Sequence, residues 1–159
     1  MRGYTSSSVR HQQEDEPAGA VPHVVETLQW LREQGIKTTI ASSRTSFSLR
    51  DLLADMDIAN LFDYVLGSED VARAKPDPEP VLQTLRTMNI SAEHTLVVGD
   101  MGVDILMGAR AGCKTVGVTY GNGSLEELND AGADYIIDNM NKLTGLYEDF
   151  YLPRIKTAL

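Results

Sequence analysis

Cysteine is nearly missing. Cys113 is the single one in 159 residues, which excludes an intramolecular disulfide and any cysteine-rich zinc site. Basic side chains are also few, 14 Lys and Arg against 23 Asp and Glu, for a formal charge of −9. No block of Lys or Arg compensates locally, so neither nucleic acid nor an anionic membrane is an expected partner. No apolar run approaches the ~20 residues of a membrane span. The start of the chain lacks the apolar stretch of a secretory signal. What these absences leave is an acidic globular protein, expected in the cytoplasm. Hydrophobic residues make up 42% of the chain, and a chain of this size can bury roughly 70% of the surface its unfolded form exposes.

The first 20 residues have no apolar period. Ser6-Ser7-Ser8, the polar run His11 to Glu16, Pro17 and Gly19 predict a loose polar leader over 1–20, followed by one domain over 21–159. Val24, Val25, Leu28 and Leu31 share a helical face that Gly35 stops. Ile36 to Ala41 is a short β-branched strand. Further helices are expected around Leu49 to Met56, Val81 to Leu85, Ile105 to Ala111, Leu125 to Leu128 and Leu143 to Phe150. Strands are expected at Asp63–Leu66, Thr95–Val98, Thr115–Val118 and Tyr135–Ile137. Thr95-Leu96-Val97-Val98 does not alternate, as suits a strand covered on both faces. Strands alternating with helices predict an α/β fold with a mostly parallel sheet.

In such sheets the chemistry lies beyond the C-terminal ends of the strands. The segment Gly99-Asp100-Met101-Gly102-Val103-Asp104 follows one strand, with Asp104 one helical turn after Asp100 and facing the same way. Two carboxylates there make a hard-oxygen site suited to Mg²⁺, which takes one or two carboxylates together with waters and a phosphate. The plain alternative is that Asp100 caps the next helix and Asp104 complements its dipole. Ser42 ends another strand, and its hydroxyl with the backbone N–H groups that follow is a small phosphate cradle; Ser is also a routine helix cap. Lys75, stiffened by Pro76 and Pro78, would neutralise a phosphate and steady a carboxylate, or simply sit on a surface turn.

Taken in order, these segments resemble the haloacid dehalogenase-like superfamily of phosphohydrolases, in its phosphoglycolate phosphatase-like branch. The resemblance runs from about Val21 to about Asp138. It implies a Rossmann-like three-layer α/β/α core. Ser42 matches the family's phosphate-binding Ser/Thr, with Ser43 beside it, and Lys75 in Lys-Pro-Asp-Pro-Glu-Pro matches the family lysine. Asp100 and Asp104 match the Gly-Asp-x-x-x-Asp metal motif. Val116 to Gly121 and Gly132 to Tyr135 resemble closing segments of the branch. The resemblance implies Mg²⁺ as cofactor and a small phosphorylated metabolite as substrate.

One departure matters. The family's chemistry starts on an N-terminal strand ending in Asp-x-Asp-x-Thr/Val, whose first Asp becomes an aspartyl-phosphate. No such strand precedes Val21. Asp55-Met56-Asp57 ends a helical pattern and reads as an exposed helix terminus. The fold is therefore expected with its first strand absent, a gap in the middle of the sheet and no cap, so the domain is incomplete. Adjacent strands lie about 4.8 Å apart, and a missing one leaves unpaired backbone groups along a buried gap. Direct closure of its neighbours, insertion of Tyr4 to Val9, or a strand from another chain (self-association or strand donation) could fill it.

Three functions follow. The first is a Mg-dependent phosphomonoester hydrolase, this chain being a truncated form inactive alone. The second is a non-catalytic relic that binds Mg²⁺, a phosphate or a protein. The third is a phospho-acceptor receiver domain, which uses similar residues but places its acidic pair before its lysine. Here Lys75 precedes Asp100, against the receiver order.

Overall fold

The computed structural model describes residues 3–6 and 23–150. Six parallel strands form one sheet: β1 (Gly3–Ser6), β2 (Lys37–Ala41), β3 (Tyr64–Leu66), β4 (Thr95–Gly99), β5 (Lys114–Val118) and β6 (Tyr135–Ile137), in the order β3-β2-β1-β4-β5-β6. The helices are α1 (Val24–Glu33), α2 (Ser46–Asp55), α3 (Glu79–Met88), α4 (Gly102–Arg110), α5 (Leu125–Asp130) and α6 (Leu143–Phe150). The parallel α/β architecture is the one the sequence pattern predicts. Among the described residues, no helix is long and apolar enough to cross a membrane.

The layers follow from side-chain alternation on the strands. Leu96 and Val98 of β4 join a core with Leu28 of α1, Leu49 and Leu53 of α2, and Leu143 and Phe150 of α6. Val97 between them packs into a second core with Val81 and Leu85 of α3 and Met107 of α4. Trp30 belongs to the packing: its ring meets Tyr147 edge-on at 5.3 Å. Gly35, at φ 80°, ends the turn after α1 in a conformation that favours glycine.

The expected gap is where the structure corrects the sequence reading. The sequence predicts an absent first strand and a loose leader; residues 3–6 instead form β1, paired in parallel with β2 on one edge and β4 on the other. The physical reason is that both neighbours need hydrogen-bonding partners, and a main chain of almost any sequence supplies them. What is missing is the Asp motif, since β1 reads Gly-Tyr-Thr-Ser. The expected insertion covered Tyr4 to Val9, of which residues 7–9 lie outside the described residues, as do the rest of the leader and residues 21–22.

Candidate functional site

The strand order brings the C-terminal ends of β2 and β4 to either side of β1. Ser6 pairs with Ile40 and with Val98, so Ser42 and Asp100 each lie two residues further along a flanking strand. Asp55 and Asp57 are exposed at the far end of α2, away from this edge.

On the β2 side, Ser42 is buried. Its N–H donates to the Leu66 carbonyl at 3.0 Å, which ties the strand end to β3. Its hydroxyl accepts from the Arg44 N–H at 3.0 Å, closing a tight turn before α2. The first N–H groups of α2 are already engaged. Ser46 donates to Glu69 Oε1 at 2.8 Å, and the Thr45 hydroxyl accepts from Ser48 at 3.2 Å. A phosphate cradle here would therefore rest on the turn at Ser42 to Arg44, since the helix start is capped from within. Ser43 is exposed. Ser42, Ser43 and Lys75 line one cavity of about 90 Å³, floored by Ala41, Leu66 and Pro80.

Lys75 joins the two halves. From that cavity its ammonium donates to Asp104 Oδ1 at 2.7 Å, with the lysine side chain only 6% exposed and Asp104 at 0%. The Met101 N–H donates to Asp104 Oδ2 at 3.2 Å. Asp104 can approach the strand so closely because residue 99 is glycine: a Cβ there would stand 2.2 Å from the Asp104 Cβ.

Asp100 is fully buried just after β4. Its Oδ2 accepts from the Asn122 N–H at 2.9 Å. The loop after β5 packs against it, since a Cβ on Gly121 would fall 2.4 Å from the same oxygen. Glu127 of α5 reaches the other way and accepts from the Gly102 N–H at 2.6 Å, capping α4. Sequence reasoning missed both contacts. The closely spaced glycines of Gly121-Asn122-Gly123 were the available signal for the first; Glu127 looks like any solvated acid.

The donor set decides which cation these residues suit. Asp100 and Asp104 offer buried hard oxygen, while Cys113 sits in the second core with its thiol pKa pushed up to about 12 by burial. Among the described residues, no group of three His, Cys, Asp or Glu could hold a metal. Two carboxylates without sulfur or imidazole fit Mg²⁺, which keeps waters and a phosphate as its remaining ligands, and do not fit structural zinc. Asp104 would share itself between such an ion and Lys75.

Comparison with known proteins matches this geometry to a family. The profile of the haloacid dehalogenase-like hydrolases matches residues 4–118. The phosphoglycolate phosphatase of Salmonella typhi is 36% identical over 122 residues, which are 77% of this chain and 48% of that protein. The phosphoglycolate phosphatase of Shigella sonnei is 35% identical over the same shares. The chain thus spans about half the length of the curated relatives it matches. Among solved structures, a predicted phosphoglycolate phosphatase from Haemophilus somnus superposes with a TM-score of 0.75 at 28% identity, covering 79% of this chain and 56% of that one. A predicted phosphatase from Clostridium acetobutylicum gives 0.74 at 26% identity, covering 80% and 59%.

Proposed function

Because the chain belongs to the haloacid dehalogenase-like hydrolase family, we propose that it supplies the phosphate- and cation-holding half of a phosphomonoester hydrolase of the phosphoglycolate phosphatase type. By itself it would hold such a phosphate without turning it over. The observation that carries this reading is Lys75, which lines the cavity of Ser42 while its ammonium meets Asp104 at 2.7 Å. One residue thereby links the phosphate side to the carboxylate side.

Each residue has a task its surroundings support. The Ser42 hydroxyl, set by the Arg44 N–H, offers an O–H to a phosphate oxygen. Lys75 adds positive charge at the same cavity while its ammonium donates to Asp104. Asp100 and Asp104 would hold Mg²⁺, with Asp100 oriented by the Asn122 N–H. Bound there, Mg²⁺ would offset carboxylate charge and polarise a phosphate oxygen. Buried carboxylates without a divalent cation would repel the substrate, because Coulomb repulsion is poorly screened away from water. The nucleophile is the missing part: β1 occupies the family's nucleophile strand and carries no carboxylate. A small phosphorylated metabolite is the substrate class.

The test is hydrolysis of p-nitrophenyl phosphate with Mg²⁺, alongside binding of inorganic phosphate followed by ³¹P line broadening. The expected result is phosphate binding that Ser42→Ala and Lys75→Met weaken, with turnover no greater than that of Asp100→Asn. Robust turnover abolished by Asp100→Asn would overturn the inactivity. Absence of phosphate binding would overturn the site. The carboxylate-free β1 also favours a second reading, a non-catalytic phosphate-binding protein. Fusing a strand bearing Asp-x-Asp-x-Thr separates the two, since only a hydrolase half would gain turnover.

A further inference from the structure

Lys75 points inward from a loop that otherwise faces out. Ala72, Arg73 and Ala74 are exposed, while the Lys75 side chain is 6% exposed and its ammonium donates to Asp104 at 2.7 Å. No helix or strand spans residues 71–78, so regular backbone pairing does not hold the turn. Side chains from two helices do. Glu79, the first residue of α3, reaches back along the chain. The Arg73 N–H donates to its Oε2 at 2.6 Å and the Ala72 N–H to its Oε1 at 3.2 Å. Asp77 closes the loop from within: its Oδ1 accepts from the Glu79 N–H at 2.9 Å, and its own N–H donates to the Ala74 carbonyl at 3.0 Å. From α4, Arg110 donates to the Pro76 carbonyl at 3.2 Å.

We propose that Glu79 is a positioning residue for Lys75, fixing the main chain ahead of the turn so that the ammonium reaches both Asp104 and the Ser42 cavity. A lysine is a point charge on a flexible stem, so its aim depends on where its main chain is held. Arg110 grips the chain one residue after Lys75, and Glu79 grips it two and three residues before. Hydrogen bonds to a carboxylate are roughly twice as strong as neutral ones, which suits a clamp on an exposed loop. Both clamps rest on one platform, because Val81 and Leu85 of α3 pack with Met107 of α4 in the second core. Asp104 rides on the same α4, so the packing of α3 on α4 fixes the lysine relative to its acid. Glu79 does not line the Ser42 cavity; it acts through Lys75. The placement of Lys75 stands without the phosphatase reading, whereas any effect on phosphate rests on that reading.

The test is lysine footprinting of the full chain with acetic anhydride, read residue by residue by mass spectrometry. Lys75 is compared with Lys114 and Lys142, which are 48% and 57% exposed. Alkylation of the buried Cys113 runs in parallel as a gauge of general opening. Glu79→Ala should speed acetylation of Lys75 about ten-fold, the change expected from losing a hydrogen bond to a charged group, with Lys114, Lys142 and Cys113 unchanged. Glu79→Gln keeps one acceptor oxygen and should fall between parent and Glu79→Ala. Asn139→Ala, which removes the acceptor of the Asn141 N–H beyond β6, is the control for a lost turn contact elsewhere and should leave Lys75 at the parent rate. An unchanged Lys75 rate in Glu79→Ala would overturn the proposal. So would a rise at Lys75 matched by Cys113, because that is general loosening. Inorganic phosphate, followed by ³¹P line broadening, should bind Glu79→Ala about as weakly as Lys75→Met. A faster Lys75 with phosphate binding unaltered would count against the phosphatase reading alone.

Discussion

β1 and β4 lie side by side in the same sheet, yet they hold their places by different means. β4 is held by side chains: all five of its residues are buried, Leu96 and Val98 in one core and Val97 in the other, and at its tip a carboxylate is fixed by a loop N–H. β1 is paired through its main chain on both edges. The carboxylates that suit a cation follow the first strand, and the second carries no acid. The difference shows that sheet order and site chemistry are separate requirements, since backbone pairing alone can meet the first.

The sharpest way to break this comparison is at the ion pair that anchors the β4 side. Lys75→Ala would leave the fully buried Asp104 without the cation at 2.7 Å. Removing one partner of a buried pair costs about 3–5 kcal/mol, to be measured by urea unfolding. Lys75→Ala combined with Asp104→Leu should recover much of that loss, since no uncompensated charge remains. A loss near zero in the single variant would show that Asp104 draws its stability from elsewhere.

Next in size is a matched pair of strand substitutions. Val98→Ala, at a position with 0% exposure, should cost about 2–3 kcal/mol in lost transfer and cavity energy. Thr5→Ala on the neighbouring strand should cost under about 1 kcal/mol, the whole span of strand propensity. Equal costs would erase the contrast between the two strands.

The same contrast explains what could be read from the residues alone. Leu96 to Asp104 announces itself through an unbroken apolar run, two glycines and two acids in helical register, all within nine positions. Gly3 to Ser6 has no such period, and its pairing depends on strands some thirty and ninety residues away. A strand chosen by its neighbours leaves no mark in its own residues. Asn122 acts through its backbone N–H, so its residue type carries no signature. Ser42, Lys75 and Asp104, which one cavity and one ion pair bring together, are singled out with Asp100 in the sequence because their order is informative even where each alone is not. Glu69 and Glu127 were not, because an acid that caps a distant helix looks like one that faces water.

Glu127 offers a smaller test on the β4 side. It accepts from the Gly102 N–H that opens α4, so Glu127→Ala should cost about 1 kcal/mol, the usual worth of a cap. Hydrogen exchange at Gly102 should rise in proportion. If the cap also steadies the turn that carries Asp100, phosphate binding should weaken with it, whereas a purely local cap would leave binding unchanged.

On the β2 side the corresponding acid is Glu69, whose carboxylate takes the Ser46 N–H at 2.8 Å and the Ser46 hydroxyl at 3.0 Å at the start of α2. The Ser46 N–H is the main cause that holds its pKa below the ordinary 4.5; its own N–H comes next, and the Ser46 hydroxyl and the charge of Arg50 add to this, against an opposing effect of desolvation. A folded pKa below the unfolded one means that folding favours the charged form. The contribution is therefore complete above the ordinary carboxylate range and fades as pH falls through the folded value. Glu69 is exposed, so the effect on global stability is slight and is best read locally. A ¹³C titration of the Glu69 carboxyl should show a midpoint below 4.5, with Ser46 amide protection falling over the same range. Glu69→Gln should remove that pH dependence while leaving α3 and α4 untouched. A midpoint at or above 4.5 would mean that the Ser46 contact does not hold the Glu69 carboxylate, leaving the start of α2 to the Thr45 cap.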